Sequence, residues 1–593
     1  MNLSTEQSQA VLTDSKNALI LAGAGSGKTR VLVSRINHLM ESCNVSPYEI
    51  LSCTFTRKAG SEMTERLEKL CGSRAHNVTI GTLHSVALRM IQRFGEFIGL
   101  NPGKITVYSS WEESVLLKDV CKELGYYNGK TFKQVKKTEI DGAFNIWYTR
   151  KQRNDRDQIV NEIMDAFFLR CRENNALTYG MIMTSFLDLL PRIGHMLNFK
   201  HILVDEVQDL DPLQWRIIRL ICSICDASLF AVGDDSQSIY SFRGADPDYL
   251  IRNRDKFDIY KLCDNYRSDA YIVETANRLI RHNINRLDLE MNPVRHKSSP
   301  ISIFKNSNSD RLREDLQETM ENSETLKSIA VLGRNHFLLE KLSTLLTQSG
   351  IDHEYIGKKT AFTRSENFRR VHSLLNIAVN PFDNFSFMLA LDYLGIDREE
   401  YKVIRMRAVK ENKSHFQVWS ELVEKMSGYQ FDFVDSAKSN RFDIVLEWML
   451  GVDYGFECSD VFDFIDNYME YHHNPTIQEY LDWLALFDVQ DEISAEPKKL
   501  QLMTIHASKG LEFEMVIIAG MNEGILPNHR ANKDTKELES ERRLAYVAYT
   551  RAKDFLILTS RPVDPEARIQ NPPSRFIAES INFGDIKESD IPY

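Results

Sequence analysis

The stretch "LILAGAGSGKTR", Leu19 to Arg30, decides how the rest of the chain is read. An apolar run that predicts a buried strand enters a glycine-rich loop, and Gly27-Lys28-Thr29 opens a segment with helical spacing. The first N–H groups of a helix have no partner within it, and the helix dipole favours negative charge there. Strand, loop and helix together therefore predict an anion cradle. The common phosphate pattern is G-x-x-x-x-G-K-[ST]; here Ala22 stands at its first position, with Gly23, Ala24, Gly25 and Ser26 inside the loop. Lys28 would reach the β- and γ-phosphates of a triphosphate, and Thr29 would ligate Mg²⁺.

A second half of such a site is visible in "ILVDEVQD", where Asp205 and Glu206 end an apolar strand. One of the two would hold Mg²⁺ and the other would orient and deprotonate the attacking water, with Asp205 the expected metal ligand beside Thr29. Phosphoryl transfer also needs cations on the γ-phosphate. Arg267 in "DNYRSD" and Arg551 in "ERRLAYVAYTRAKD" are the candidates, although either arginine alone reads more simply as a surface ion pair.

Short apolar runs followed by amphipathic segments recur along the chain. "NALILA", "ILSCTFT", "HILVDEV", "SLFAVGD" and "YKLCDN" form one series, and "SIAVLGR", "LQLMTIHAS", "MVIIAGM" and "FLILTS" a second. Buried parallel strands read this way, so the chain predicts an α/β fold with two doubly wound sheets. Each sheet is interrupted by a mainly helical insertion. The expected division is 1–95 with 196–262 for the first α/β domain and 96–195 for its insertion. The second α/β domain takes 263–365 with 498–593, and its insertion 366–497.

Other classes are excluded by bulk properties. With 43% hydrophobic and 26% charged residues the chain is ordinary globular protein. The start "MNLSTEQSQAV" lacks a basic stretch followed by an apolar block, and no run approaches a membrane span, so no signal peptide and no membrane partner are expected. Nine cysteines without framework spacing suggest a reducing, cytoplasmic setting. Cys222 and Cys225 form one C-x-x-C inside an apolar helical pattern and read as a helix face, not as zinc ligands. The formal charge of -11 argues against a polyanion partner until its distribution is considered. Residues 451–497 hold twelve Asp or Glu and no Lys or Arg, whereas residues 57–93 carry seven basic against three acidic residues. Local sign matters more than the sum.

The order of "QSQAV", "AGAGSGKT", "TFTRKAGSEM", "GTLHS", "VDEVQD", "VGDDSQSIYSFRGA", "NYRS", "TIHASKGLEF" and "ERRLAYVAYTRA" resembles the UvrD/Rep/PcrA-type superfamily-1 DNA helicases, from Leu3 to about Phe576. The resemblance implies two RecA-like domains closing on ATP and Mg²⁺ at their interface, with 3′→5′ movement along single-stranded DNA and action at junctions with duplex. It implies that Gln7 reads the adenine, that Arg30 and Tyr266 pack near the base, and that Glu512 contacts the ribose. Gln237 would couple the γ-phosphate to the DNA site, and Arg267 with Arg551 would be the γ-phosphate arginines. His84 in "GTLHS" falls on a family DNA-contact position.

Single strands are held by basic grooves with aromatic faces for the bases. "SIYSFRGAD" supplies Tyr240, Phe242 and Arg243, and "CTFTRK" supplies Phe55 and Arg57, with Phe242 standing where the family usually has Trp. The second insertion departs from the family: its "GIG" turn is Gly395-Ile396-Asp397, whose carboxylate would oppose a phosphate. The first insertion has "LTYGMIM" in place of an acidic "DFDDLL"-like segment, and no partner-binding tail is expected after "PSRFIAES". A translocase that strips bound proteins without separating strands is the alternative reading.

Overall fold

A computed structural model describes residues 3–153, 157–296, 298–299, 301–304, 309–322, 326–424, 428–439, 441–472, 474–492, 497–531, 534–560 and 572–581. Two six-stranded sheets organise these residues. The first contains β1 (Asn17–Ala22), β2 (Ile50–Thr54), β3 (Thr79–Thr82), β4 (His201–Val204), β5 (Ser228–Gly233) and β6 (Asp258–Leu262), in spatial order β3-β2-β4-β5-β1-β6. The second contains β7 (Ser302–Phe304), β8 (Ile329–Gly333), β9 (Glu354–Tyr355), β10 (Leu500–Thr504), β11 (Phe513–Ala519) and β12 (Ala552–Thr559), in order β7-β12-β11-β8-β10-β9.

All neighbouring strands in both sheets run parallel. β1, β2, β5 and β8 are buried almost end to end, which is why they read as continuous apolar runs without alternation. The helix Lys28–Glu41 follows β1 directly and packs Val31, Leu32, Ile36 and Leu39 inward. β3 ("TIGT") and β9 ("EY") are short, half-buried edge strands absent from the sequence series.

Both interruptions are helical. Between β3 and β4 the chain forms helices from Leu83–Phe94 to Tyr179–Ile193 and a small parallel pair, Thr106–Tyr108 with Ala176–Thr178. Between β9 and β10 it forms helices from Lys358–Thr363 to Ile477–Ala485 around a separate core containing Phe368, Phe387, Trp419, Phe433 and Tyr480. Asp397 caps the helix Arg398–Glu411, accepting from the N–H groups of Glu399 and Glu400 at 2.8 Å. Its charge is thus directed at that helix start. Cys222 and Cys225 are half-buried thiols on the helix Pro212–Cys225, beside the first core. Among the described residues no helix is long and apolar enough to cross a membrane.

The two insertions meet through buried polar groups. Asn380 Nδ2 donates to Thr106 Oγ1 at 2.9 Å and to the carbonyls of Asn174 and Asn175 at 2.9 and 3.1 Å. The Tyr108 hydroxyl donates to Asp383 Oδ1 at 2.6 Å and accepts from Asn174 Nδ2 at 3.2 Å. A dry polar contact of this kind fixes geometry because a lost partner leaves the other group unsatisfied. Asn380→Ala is expected to lower the thermal unfolding midpoint by roughly 5 °C, read by differential scanning fluorimetry. An unchanged midpoint would show that the insertions are held together elsewhere.

Candidate functional site

The cradle depends on two glycines in the left-handed region, Gly25 at φ 68° and Gly27 at φ 86°. A Cβ on Gly25 would lie 2.7 Å from Arg267 Cβ, and one on Gly27 would lie 2.9 Å from Gln7 Nε2. Only glycine accepts both that backbone and that proximity. Hydrogen bonds fix the loop from three directions. Ser26 Oγ donates to Gly23 O at 2.8 Å, Gln7 Nε2 to Ser26 O at 2.9 Å, and Asn265 Nδ2 to Ala24 O at 2.7 Å. The Tyr266 N–H adds a bond to Gly25 O at 3.1 Å. Gln7, expected at the adenine, therefore braces the loop, and Tyr266 is an exposed ring beside it. Ala22 closes β1, Thr29 sits half-buried in the first helical turn, and Arg30 follows it on the exposed side.

Asp205 and Glu206 follow β4 immediately. Successive side chains on a strand point to opposite faces. Glu206 breaks that alternation with a left-handed φ of 50°, a conformation that costs a non-glycine residue energy and recurs at functional sites. Lys28 Nζ lies 3.1 Å from Glu206 Oε2. Burial, then the Glu206 charge, pushes Asp205 well above the usual carboxylate range. Burial acts in the same direction on Glu206, but Lys28 and Lys509 outweigh it and hold Glu206 low.

Arg267 and Arg551 come from outside the first sheet. Arg267 Nε donates to Glu512 Oε2 at 2.7 Å and its Nη1 to Thr550 O at 3.2 Å. Arg551 is buried, with its donors on Val547 O, Leu511 O and Thr550 Oγ1 at 3.1 to 3.3 Å. Burial, then the like charge of Arg267, pushes Arg551 down to about 9. Glu512, expected at the ribose, pairs here with Arg267 and Lys553. These residues fit a magnesium-bound triphosphate: an uncapped helix start, a buried carboxylate short of counter-charge, and neighbouring guanidiniums that an anion would relieve.

Several polar residues beyond the sequence-derived candidates complete the centre. Gln208 donates from Nε2 to Glu206 and accepts the Asp234 N–H at 3.0 Å. Asp234 Oδ2 accepts from Gln237 Nε2 at 2.7 Å, and the Gln237 carbonyl accepts from Lys509 Nζ at 2.7 Å. Lys509 also pairs with Asp209, and both are buried. Asp209 and Gln208 lie inside "VDEVQD" and Lys509 inside "HASKG", so the motifs held the signal although Asp209 and Lys509 are 300 residues apart.

The candidate strand-binding residues gather on the other side of this network. Phe55 stacks on Tyr240 with centroids 4.9 Å apart, and Tyr240, only 5% exposed, donates to His506 O at 3.2 Å. Phe242 is 64% exposed and meets His506 edge-on at 5.2 Å. The Arg243 guanidinium lies 5.2 Å from the Tyr240 ring and 5.8 Å from that of Phe242. His84 stacks at 4.3 Å on Tyr179, an aromatic partner that no motif in the sequence points to. Phe55, Arg57, His84, Tyr179, Tyr240 and Arg243 all line one cavity of about 550 Å³. Phe242 remains on the open surface beside it.

A phosphate cradle on one parallel sheet, faced by Arg267 ahead of the strands of a second and Arg551 just before the last of them, defines a P-loop nucleotide hydrolase with a divided site. Sequence models place it more closely: the UvrD/REP helicase N-terminal domain matches residues 3–258, and the UvrD-like helicase C-terminal domain matches 260–436 and 458–561. The chain belongs to the UvrD-type ATP-dependent DNA helicase family. It is 29% identical to the ATP-dependent DNA helicase PcrA of Staphylococcus epidermidis strain RP62A, across 98% of this chain and 86% of the relative. The PcrA of Staphylococcus aureus strain Mu50 shows the same identity and coverage.

Gly25→Ala tests the cradle directly. A left-handed alanine costs about 1–2 kcal/mol before its contact with Arg267 is counted, so affinity for a fluorescent ATP analogue is expected to fall at least about tenfold. Wild-type affinity would mean that the loop is not where the nucleotide binds.

Proposed function

We propose that this protein hydrolyses ATP to move 3′→5′ along single-stranded DNA and to unwind the duplex it meets. The observation that carries the reading is the divided site, in which Lys28, Asp205 and Glu206 belong to the first sheet while Arg267 and Arg551 approach from the second half. In this reading 1–95 with 196–262, and 263–365 with 498–593, are the two motor domains. Residues 96–195 and 366–497 are their insertions.

Lys28, the backbone from Ala22 to Gly27 and the helix start would hold the phosphates, and Thr29 with Asp205 would hold Mg²⁺. Gln7, Arg30, Tyr266 and Glu512 would surround the nucleoside. Bound MgATP supplies a cleavable phosphoanhydride whose charge both halves can share. Glu206 orients the attacking water and accepts its proton on a carboxylate oxygen, which requires Lys28 to leave its present 3.1 Å contact. Arg267 exchanges Glu512, and Arg551 its carbonyl partners, for phosphate oxygens, so closure is favoured before hydrolysis and relaxed after it. Gln237 lies between that centre and the aromatic groove and carries the change across. Phe55, Tyr240 and Phe242 present ring faces to bases, while Arg57, His84 and Arg243 contact the backbone or adjacent bases.

Lys28→Ala is expected to abolish DNA-stimulated ATP hydrolysis; retained turnover would remove the nucleotide assignment. On partial duplexes, unwinding should require a 3′ single-stranded tail, and preference for a 5′ tail would overturn the polarity. Phe242→Ala should leave ATP hydrolysis largely intact while cutting unwinding several-fold, by the loss of ~1–3 kcal/mol of stacking. Unwinding at the wild-type rate would take Phe242 out of the strand site. Protein displacement without unwinding on the 3′-tailed substrate would favour a pure translocase.

A further inference from the structure

The acidic stretch between residues 451 and 497 has a specific place in the fold. After the helix Ile477–Ala485, residues 486–492 run along the aromatic cavity, where Leu486, Phe487, Asp488 and Asp491 form part of its lining. Asp491 Oδ2 lies 2.6 Å from Arg57 Nη2, and Arg57 Nη1 donates to Trp483 O at 2.8 Å. The Arg57 guanidinium also lies 5.3 Å from the Trp483 ring. Asp488 stands 3.9 Å from Arg243. Both arginines assigned to the strand therefore face carboxylates of this segment, Arg57 in a close pair and Arg243 in a looser, half-exposed one.

The segment is tethered at its far end. Glu492 accepts from the Gly357 N–H at 2.8 Å and the Thr360 N–H at 2.6 Å, and from the Thr360 hydroxyl. Asp491 Oδ2 also accepts the Asp488 N–H at 2.8 Å, so one carboxylate both shapes the strap and holds Arg57. The fit on Arg57 is incomplete, since its Nε is buried without a hydrogen-bond partner among the described residues.

We propose that the strap from Asp488 to Glu492 is a built-in competitor for the strand: its carboxylates occupy the arginines that DNA phosphates would take, and DNA binding displaces it. The inference rests on the strand reading of the groove given above. A guanidinium cannot serve an aspartate and a phosphate with the same N–H pair, so entry of the strand exchanges one anion for another. Such an exchange lowers affinity and also its salt dependence, because fewer counterions are released than when a free cation meets a phosphate. The segment thereby sets a threshold for engagement at the two groove arginines, Arg57 and Arg243.

The test uses the full chain, a fluorescent oligo-dT and anisotropy titrations across a salt series. Asp488→Asn with Asp491→Asn is expected to tighten binding by about fivefold to tenfold at low salt, the scale of two partly screened ion pairs. It should also steepen the slope of log K against log salt by about 1.4, at about 0.7 per freed cation. Unchanged or weaker binding with an unchanged slope overturns the competitor. Where the double variant melts early, Asp488→Asn alone, at the half-exposed pair with Arg243, carries the same comparison: a smaller shift in the same direction supports the competitor, and no shift overturns it. Arg57→Gln with Arg243→Gln separates this inference from the reading beneath it. If that pair weakens oligo-dT binding while the aspartate substitutions do nothing, the groove stands and the competitor falls. If none of the four substitutions changes binding, the groove itself is not the strand site.

Discussion

The arrangement turns on one buried charge. Lys509, just after β10 of the second sheet, is paired with Asp209, just after β4 of the first, and neither side chain is open to water. An unpaired ammonium in that interior would be costly, and removing one partner of a buried pair costs far more than the pair itself contributes. The two halves must therefore meet with Lys509 at Asp209 and at the Gln237 carbonyl, 2.7 Å away. That requirement sets the register in which Arg267 reaches the phosphate loop and Tyr240 reaches His506. Burial pushes Asp209 up to about 6 against the pull of Lys509, so the pair sits in a balance that nearby charge can alter.

What is legible in the sequence follows from which interactions leave a local pattern. Parallel strands covered on both faces must be apolar throughout, so β1, β5, β8 and β11 stand out as runs. β3 and β9 lie at sheet edges, half-buried and short, and carry no such signature. The cradle and the carboxylates after β4 are visible because their chemistry needs particular residue types at fixed spacing. Lys509 and Tyr179 do not stand out individually, because a buried polar or aromatic residue becomes meaningful only through a partner, here Asp209 or His84, that sequence does not place beside it. Arg57 is the sharpest case: its carboxylate partner is 434 residues away.

Net charge illustrates the same limit. A total of -11 gives no hint of a groove lined by arginines, and the acidic stretch read alone shows only where the negative charge is concentrated. In the fold the two features are one. Acidic residues from the stretch lie on basic residues of the groove, so the local field there is far weaker than either segment implies by itself. Asp397 shows a quieter version: a carboxylate that would repel a phosphate in isolation is engaged by the start of its own helix.

The centre is also unusually continuous. Lys28 meets Glu206, Glu206 meets Gln208, and Gln208 meets the Asp234 backbone; the Asp234 carboxylate then meets Gln237, whose carbonyl meets Lys509. Each link is a hydrogen bond or ion pair, buried from Gln208 onward and half-buried at Lys28 and Glu206, so a departing partner is costly to replace. If Lys28 is drawn from Glu206, the carboxylate loses its principal counter-charge, and Gln208 and Lys509 are the groups left to compensate. Lys509 also lies 5.3 Å from the Tyr240 ring and 5.8 Å from that of Phe55, so a shift in its position is felt at the aromatic groove within one further contact. A polar chain with no slack, ending on a ring stack, is a short physical route by which a change at the cradle alters the grip on a base.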